Sequence, residues 1–467
     1  MIQTPEISHA SQAAAREKRF DWPLCYEAEE FILAQLTDFS GRNSFALELE
    51  RRMRDETGTL LIDWVDHLLL PPGTEARLRE LGFTEDPLAE SPAQQTVLWH
   101  PEAMLPRALI PSRQNSNTET VLALRVESIS DFMVAHGLSA HPEGDPLSQF
   151  RRVLVSAENG ARLEAIERGG YRGYLTAPAR ADALLKAHEL WRTRRRCFDD
   201  DAEGFSELRA VLDRVLQLVG RDLACHVVFA EERAYWQHRN RAAQVQKQRQ
   251  DRLGLGWANH DHHTFRSSRR HFLDLMDVLE RLGFERRERY YAGAQAGWGA
   301  QILEQPVESI VTFCDVDLAP EETEIDFSRR ALPPATKLGT IGLWVGLHGE
   351  SLLEAGMHHL ECRFDYALLR EQLAGLSVTT MKPFSDFPFL KQAFTEGEKW
   401  PVRRQRAERL LRAGLIDQSQ FQQFITEGAI GSHLENLQRK GGFKGFNQKS
   451  VSAIIEATDP RKQPVGA

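Results

Sequence analysis

The chain is poor in cysteine, has no long apolar run and carries no excess of basic charge. Its 467 residues hold five cysteines, Cys25, Cys197, Cys225, Cys314 and Cys362, never spaced as Cys-x-x-Cys. Such an odd, scattered set excludes a disulfide framework or a zinc knuckle and points to a reduced, cytoplasmic setting. No apolar stretch approaches the roughly 18 residues of a membrane span. Fifty-eight Lys and Arg stand against 67 Asp and Glu, a formal charge of −9, so the global field of a dedicated nucleic-acid binder is missing. The opening MIQTPEISHASQAAAREKRF lacks the apolar core of a secretory signal and is expected to form a mobile arm. Neither QAGWG nor RKGGFKG has the spacing of a P-loop or Rossmann turn, and no Gly-x-Ser-x-Gly elbow is present.

What the chain does have is length for two or three domains, 42% hydrophobic residues to build their cores, and sixteen histidines. Four of these, His260, His262, His263 and His271, fall within twelve residues. Apolar spacing predicts two helices over 26–55, broken near Ser40-Gly41, then a buried strand over 60–70 stopped by Pro71-Pro72. A helix over 75–81 and strands over 96–100 and 120–126 follow, with loops at 86–95 and 111–117. Near residue 200 a basic block, WRTRRRC, abuts an acidic one, FDDDAEG, and both read as solvated helix ends. A domain boundary is placed there, separating an N-terminal α+β region (1–200) of unassigned role from residues 201–467. One long helical region is expected over 205–251, with Leu208, Val211, Leu212, Val215 and Leu218 on one face.

The last part repeats an order. Strand GWANHDHHTFR leads to a helix over 267–282 ended by Gly283, then to strand-like RERYYAGAQAGWGAQILEQP and SIVTFCDVDL. Strand GMHHLECRF then leads to a helix over 365–373, ended near Gly375, and to further strands. Each unit opens with a His-rich strand. Side chains alternate along a strand. His260, His262, Thr264 and Arg266 therefore share one face, and Met357, His359, Glu361 and Arg363 share one face of the second strand. Leu360, Cys362 and Phe364 are apolar, so the His359 face is the polar one. Both strands place an Arg four residues after a His, roughly 13 Å along the strand. A metal at the His and a carboxylate gripped by the Arg could share one pocket, since the planar guanidinium binds carboxylate bidentately. Two imidazoles and one carboxylate leave open positions on Fe(II) for a chelating substrate and oxygen. Glu304, Glu361 and Glu435 are the carboxylates on offer, and periodicity does not choose among them.

This arrangement resembles the vicinal oxygen chelate superfamily, whose paired βαβββ modules cup a divalent metal. More narrowly, HHTFR, HHLECR, PFLKQAFTEGEKWPV and HLENLQRKGGF resemble motifs of the 2-oxoadipate dioxygenase/decarboxylase (hydroxyglutarate synthase) family, over roughly residues 205–460. The resemblance implies an α+β fold of such modules and His262, His359 and Glu435 as metal ligands. It also implies Arg266 as the substrate carboxylate clamp and Arg363 and Gln392 as pocket residues. The implied cofactor is Fe(II) or another divalent metal. The implied reaction takes a small 2-oxo acid such as 2-oxoadipate with O2 to a hydroxy acid one carbon shorter, 2-hydroxyglutarate, plus CO2. Departures are Glu361-Cys362 where the family has Thr-Pro, Lys391 for an Arg and Ala393 for a Thr. Near the N-terminus, DHLLLPPGTEARLRELGF has the same strand–helix look around His67 but no trailing Arg, and reads as a degenerate or structural module.

Two other classes compete. The superfamily also holds isomerases, lyases and extradiol dioxygenases, and the same ligands suit Mn(II), Ni(II) or Zn(II). Residues 402–428 read as a helical hairpin carrying Arg403, Arg404, Arg406, Arg409 and Arg412. It is either a nucleic-acid or partner contact, or a solvated amphipathic cover whose core face is Leu410, Leu411 and Leu415.

Overall fold

The computed structural model describes residues 22–90, 94–112 and 119–446, so the expected arm over the first twenty residues lies outside it. Two helices come first, α1 (Tyr26–Arg42) and α2 (Ser44–Arg52). The break falls at Asn43 rather than at Ser40-Gly41, because the Asn43 side chain accepts from the Ala46 amide and starts α2. A 3-10 turn at Leu61–Trp64 then shortens the expected strand to β1 (Val65–Leu69).

From β1 onward the chain is modular. β1, α3 (Glu75–Glu80), β2 (Thr84–Glu85), β3 (Gln95–Trp99) and β4 (Arg107–Pro111) make one βαβββ unit. β5 (Thr120–Arg125), α4 (Ile129–His136), β6 (Phe150–Glu158) and β7 (Ala161–Arg168) make a second with one strand fewer. They join in a seven-stranded sheet, β2-β3-β4-β1-β5-β7-β6, with β1 parallel to β4, β5 parallel to β7, and β1 antiparallel to β5. The module expected around His67 is therefore one of a pair. His67 bonds Asp66 through Nδ1 at 2.7 Å and packs edge-on against Tyr174.

Four helices connect the halves: α5 (Ala181–Arg192), α6 (Asp201–Val219), α7 (Arg221–Gln237) and α8 (Arg241–Asp251). The single helical region expected over 205–251 is thus three helices. Gly220, at φ 82°, ends one turn sequence, and Asn240 caps α8 by accepting from the Ala243 amide at 2.8 Å. The basic block is not a solvated helix end either. Arg194 and Arg196 both bond Glu232 Oε1 at 2.7 Å, with the Arg194 side chain 1% exposed. Their partner lies on α7, and burying it removed the water that local charge patterning had assumed.

The C-terminal half repeats the unit twice more. β8 (His260–Arg266), α9 (Phe272–Arg281), β9 (Glu285–Tyr291), β10 (Trp298–Gln305) and β11 (Ile310–Asp317) form one module. α10 (Thr340–His348) leads to the other, β12 (His359–Arg363), α11 (Tyr366–Ala374), β13 (Ser385–Phe387), β14 (Leu390–Phe394) and β16 (Ala429–Arg439). Short β15 (Glu398–Trp400) and the hairpin α12 (Arg404–Arg412) and α13 (Gln418–Glu427) are inserted before β16. The sheet runs β13-β14-β16-β12-β8-β11-β10-β9, with each first strand parallel to its module's last and β8 antiparallel to β12. This is the α+β architecture of paired βαβββ modules expected above.

One face of the central strands packs on helices. Phe265, Leu360, Cys362 and Phe364 are buried with Phe229, Leu208 and Leu212 in one core, the Phe and Leu side chains each worth about 1.5–3 kcal/mol on removal from water. The inserted hairpin buries Ala407 and Leu410 against Phe421 and Phe424. Four of its five arginines are engaged: Arg403 and Arg406 pair with Glu354, Arg404 with Glu408, and Arg409 donates to the Asp199 carbonyl. Among the described residues no helix is long and apolar enough to cross a membrane.

Candidate metal centre

The register of three central strands assembles the site. β8 and β12 run antiparallel with Glu361 opposite His262 and His359 opposite Thr264. β12 and β16 run parallel with Glu361 beside Glu435 and His359 beside His433. Directly opposed residues point to the same face. His262, Glu361 and Glu435 therefore form one row across the sheet, with Thr264, His359 and His433 forming the next. All six are buried.

Two groups of ligand-type side chains converge there among the described residues. Donor atoms of His262, His359 and Glu435 lie within 4.8 Å of one another, as do those of Asp261, His262 and Glu361. His359 Nε2 is 2.9 Å from Glu435 Oε2, and His262 Nε2 touches Glu361 Oε2. Gln392 Nε2 donates to Glu361 Oε1 at 2.9 Å and to Glu435 Oε1 at 3.2 Å. The expected ligand trio and Gln392 are thus brought together, and Glu361 joins them at the centre of the row. Glu304 is not part of the group: it sits by Lys444, at 3.2 Å, and Arg287, at 3.6 Å.

These residues suit a divalent cation. Burial, then the neighbouring His262 and His433, hold the His359 imidazole well below its ordinary pKa, in the neutral form that ligates metal. Burial and the adjacent Glu361 push the Glu435 carboxyl well above the carboxylate range. Two adjoining buried carboxylates cannot both ionise without a counter-charge, which a metal ion supplies. Gln392 Oε1 and His359 Nδ1 are buried without hydrogen-bond partners.

Behind His262, Asp261 Oδ1 lies 3.2 Å from Nδ1, leaving Nε2 for the site. Asp261 is itself clamped by Arg439, whose Nε and Nη2 donate at 3.0 and 2.9 Å. The strand pattern missed this support because β8 is irregular. One step along β12, from Glu361 to Cys362, matches two along β8, from His262 to His260, so β8 bulges at Asp261. Two expectations are corrected, the first by this bulge. His260 does not share the His262 face but turns to the His263 side, the two rings 5.2 Å apart. Arg363 does not line the metal cavity. It faces the N-terminal half, its Nη2 donating to the Asp63 carbonyl at 3.3 Å and its Nε lying 4.0 Å from Asp261.

The site opens into a cavity of about 590 Å³ of empty space. Aromatic side chains wall it, among them Tyr290, Trp298, Phe313, Phe394 and Phe446. Arg266 lines it too, beside Asp315 on the parallel neighbour β11, with Nε 3.5 Å from Oδ2. Burial lowers the Arg266 pKa to about 10, against the pull of Asp315. Burial raises the Asp315 pKa to about 7, which Arg266 only partly offsets. The loose pairing leaves Arg266 Nε and Asp315 Oδ1 without hydrogen-bond partners. Asp315, His433 and Tyr290 were not anticipated. His433 could have been, since it stands two residues before Glu435 on the same face.

No family model and no curated protein matches the chain. Among solved structures it is similar to a mutant 4-hydroxymandelate synthase from Streptomyces coelicolor, at 13% identity over 86% of this chain and 99% of that one, with a TM-score of 0.25. It is also similar to a xylose isomerase-like TIM barrel/4-hydroxyphenylpyruvate dioxygenase fusion protein, at 12% identity over 86% and 53% and a TM-score of 0.24. A third is methylmalonyl-CoA epimerase from Mycobacterium tuberculosis, at 12% identity over 39% and 88% and a TM-score of 0.23. At scores this low, the modular architecture rests on the strand order itself.

Proposed function

We propose that the chain is an Fe(II)-dependent dioxygenase that decarboxylates a 2-oxo acid, a diacid such as 2-oxoadipate, and yields a hydroxy acid one carbon shorter plus CO2. The observation that carries this reading is the convergence of His262, His359 and Glu435 at a cavity that also holds a buried, loosely paired arginine. When bound, the iron supplies oxygen activation and positions for a chelating 2-oxo acid. Arg266 would grip the distal carboxylate, displacing the weak contact with Asp315, and so fix which carbon faces the metal. The aromatic wall excludes water, and Asp261 holds the His262 ring in its ligating tautomer. Residues 201–467 would carry the chemistry, and residues 1–200 a structural pair of modules packed against them.

Glu361 favours a second reading. If it ligates alongside Glu435, four protein donors leave only two positions of an octahedral metal. Those suffice for a chelating substrate but not for oxygen as well, which suits an isomerase or lyase. Oxygen uptake by anaerobically iron-loaded protein, measured with 2-oxo monoacids and diacids of graded length, separates the two. The dioxygenase reading expects matched O2 consumption and CO2 release with one diacid. Substrate turnover that proceeds without oxygen would replace it with the second.

A further inference from the structure

Two adjoining cavities lie apart from the metal cavity, the larger between the N-terminal and C-terminal sheets and the smaller between the N-terminal sheet and helices α5 and α7. They hold about 1070 and 770 Å³ of empty space and share Arg125, Ala258 and His260 in their walls. Most charges around them are matched. Arg107 and Arg172 pair with Asp86, Arg168 pairs with Asp66, and Arg287 pairs with Glu288.

Two guanidiniums are not matched. Arg125, at the end of β5, has no hydrogen-bond or ion-pair partner among the described residues. The carboxylates that act on it from a distance, Glu308 and Asp66, are committed elsewhere. Glu308 is held by His226 Nδ1 at 3.1 Å and by the Gly170 amide, and Asp66 by two bonds of 3.0 Å from Arg168. Arg233, on α7, is 7% exposed and lines the smaller cavity. Its Nε has no hydrogen-bond partner, and its Nη1 donates to His263 Nε2 at 3.4 Å. No carboxylate pairs with it among the described residues, and nearby Glu127 is taken by Lys247 at 3.0 Å. An arginine stays charged at any physiological pH, and a buried charge without a paired carboxylate, as at Arg233, opposes folding, while half-buried Arg125 presents its charge to the cavity. A bound anion removes that opposition and gains a planar, multidentate donor set.

We propose that Arg125 and Arg233 form a second, metal-independent site that binds a small organic anion through its carboxylate or phosphate head. The apolar body of such a ligand would rest on Trp257, Leu184 and Leu223, which line the same cavity. The site is on the far side of β8 from the metal. Arg233 bonds His263, which faces α7, whereas the adjacent His262 faces the metal cavity. Ligands of the two sites therefore do not compete.

Calorimetric titration and thermal melts of the full chain with inorganic phosphate, and separately with succinate, at constant ionic strength test this. The native protein is expected to bind at least one of the two saturably, with a melting temperature that rises with the logarithm of its concentration. The tighter of the two identifies the head group. Arg233→Met and Arg125→Met should each abolish the shift. In anion-free buffer, Arg233→Met should melt no lower than the native chain, because it removes an unpaired buried charge. Arg266→Met should leave the shift intact. Absence of saturable binding of both probes, or an undiminished shift in Arg125→Met, overturns the proposal. So does a shift lost only in Arg266→Met, which would place the anion in the metal cavity.

Discussion

Replacing Asp261 by Asn should separate what the aspartate does for stability from what it does for the metal. Its carboxylate is buried, accepts two charge-assisted bonds from Arg439 at 2.9 and 3.0 Å, and stands 3.2 Å from His262 Nδ1. Breaking one side of a buried ion pair costs about 3–5 kcal/mol. Arg439 keeps two acceptors, the carbonyls of Phe443 at 3.2 Å and Gly445 at 2.6 Å, so the lower figure, roughly 3 kcal/mol, is expected. The amide also holds the imidazole less firmly, and losing a partner of this kind typically weakens metal binding about 10–100-fold. Urea unfolding of the metal-free protein reads the first effect as a lowered midpoint at unchanged slope. Competition with a chelator for Fe(II) reads the second. Adding Arg439→Met to Asp261→Asn should recover part of the stability, because both ends of the pair are then neutral, but none of the metal affinity. Lowered stability with unchanged metal affinity would refute the orienting role of Asp261. Unchanged stability would refute the buried-pair reasoning.

Glu308→Gln tests a different buried carboxylate. Burial alone would raise its pKa, but His226, Arg125 and the Gly170 amide hold it at about 2. A depressed folded pKa adds stability above the unfolded value of about 4.3, roughly 3 kcal/mol here, and loses it as pH falls from there toward 2. The native protein should lose that increment between urea melts at pH 5 and pH 2, and the variant should not; parallel losses would contradict the assignment. Arg266→Ala should raise KM for a 2-oxo diacid by at least tenfold, about 1.4 kcal/mol, while iron stays bound. Unchanged affinity for the diacid would remove the clamp. Asp315→Asn should act the opposite way and lower that KM severalfold, since it removes the carboxylate that competes for Arg266; a raised KM would mean Asp315 orients the clamp rather than competing for it.

Period and punctuation made much of the C-terminal half legible. The two His-rich strands, the helices after them and the inserted hairpin were all readable from alternation, apolar spacing and terminal glycines. The ligand trio came from strand faces joined to family resemblance, and the register of β8, β12 and β16 brings those three side chains together. Where reading failed, the cause was non-local or a signal passed over. Arg194 and Arg196 looked solvated because their partner, Glu232, lies on another helix. Arg363 was placed in the pocket by strict alternation, which does not show that its guanidinium reaches Asp63 in the N-terminal half. The pairing of Arg266 with Asp315 depends on which strand lies alongside β8. Two misses were legible. Asn159-Gly160, both at positive φ, mark the hairpin between β6 and β7. Asn240 marks the start of α8 as an N-cap.

The central claim is that His262, with His359 and Glu435, holds a metal. Metal content of anaerobically prepared protein, native and His262→Ala, tests it most directly. About one iron per chain in the native protein, with most of it lost from a variant that still unfolds cooperatively, is the predicted result. Full iron retention in His262→Ala would contradict the account.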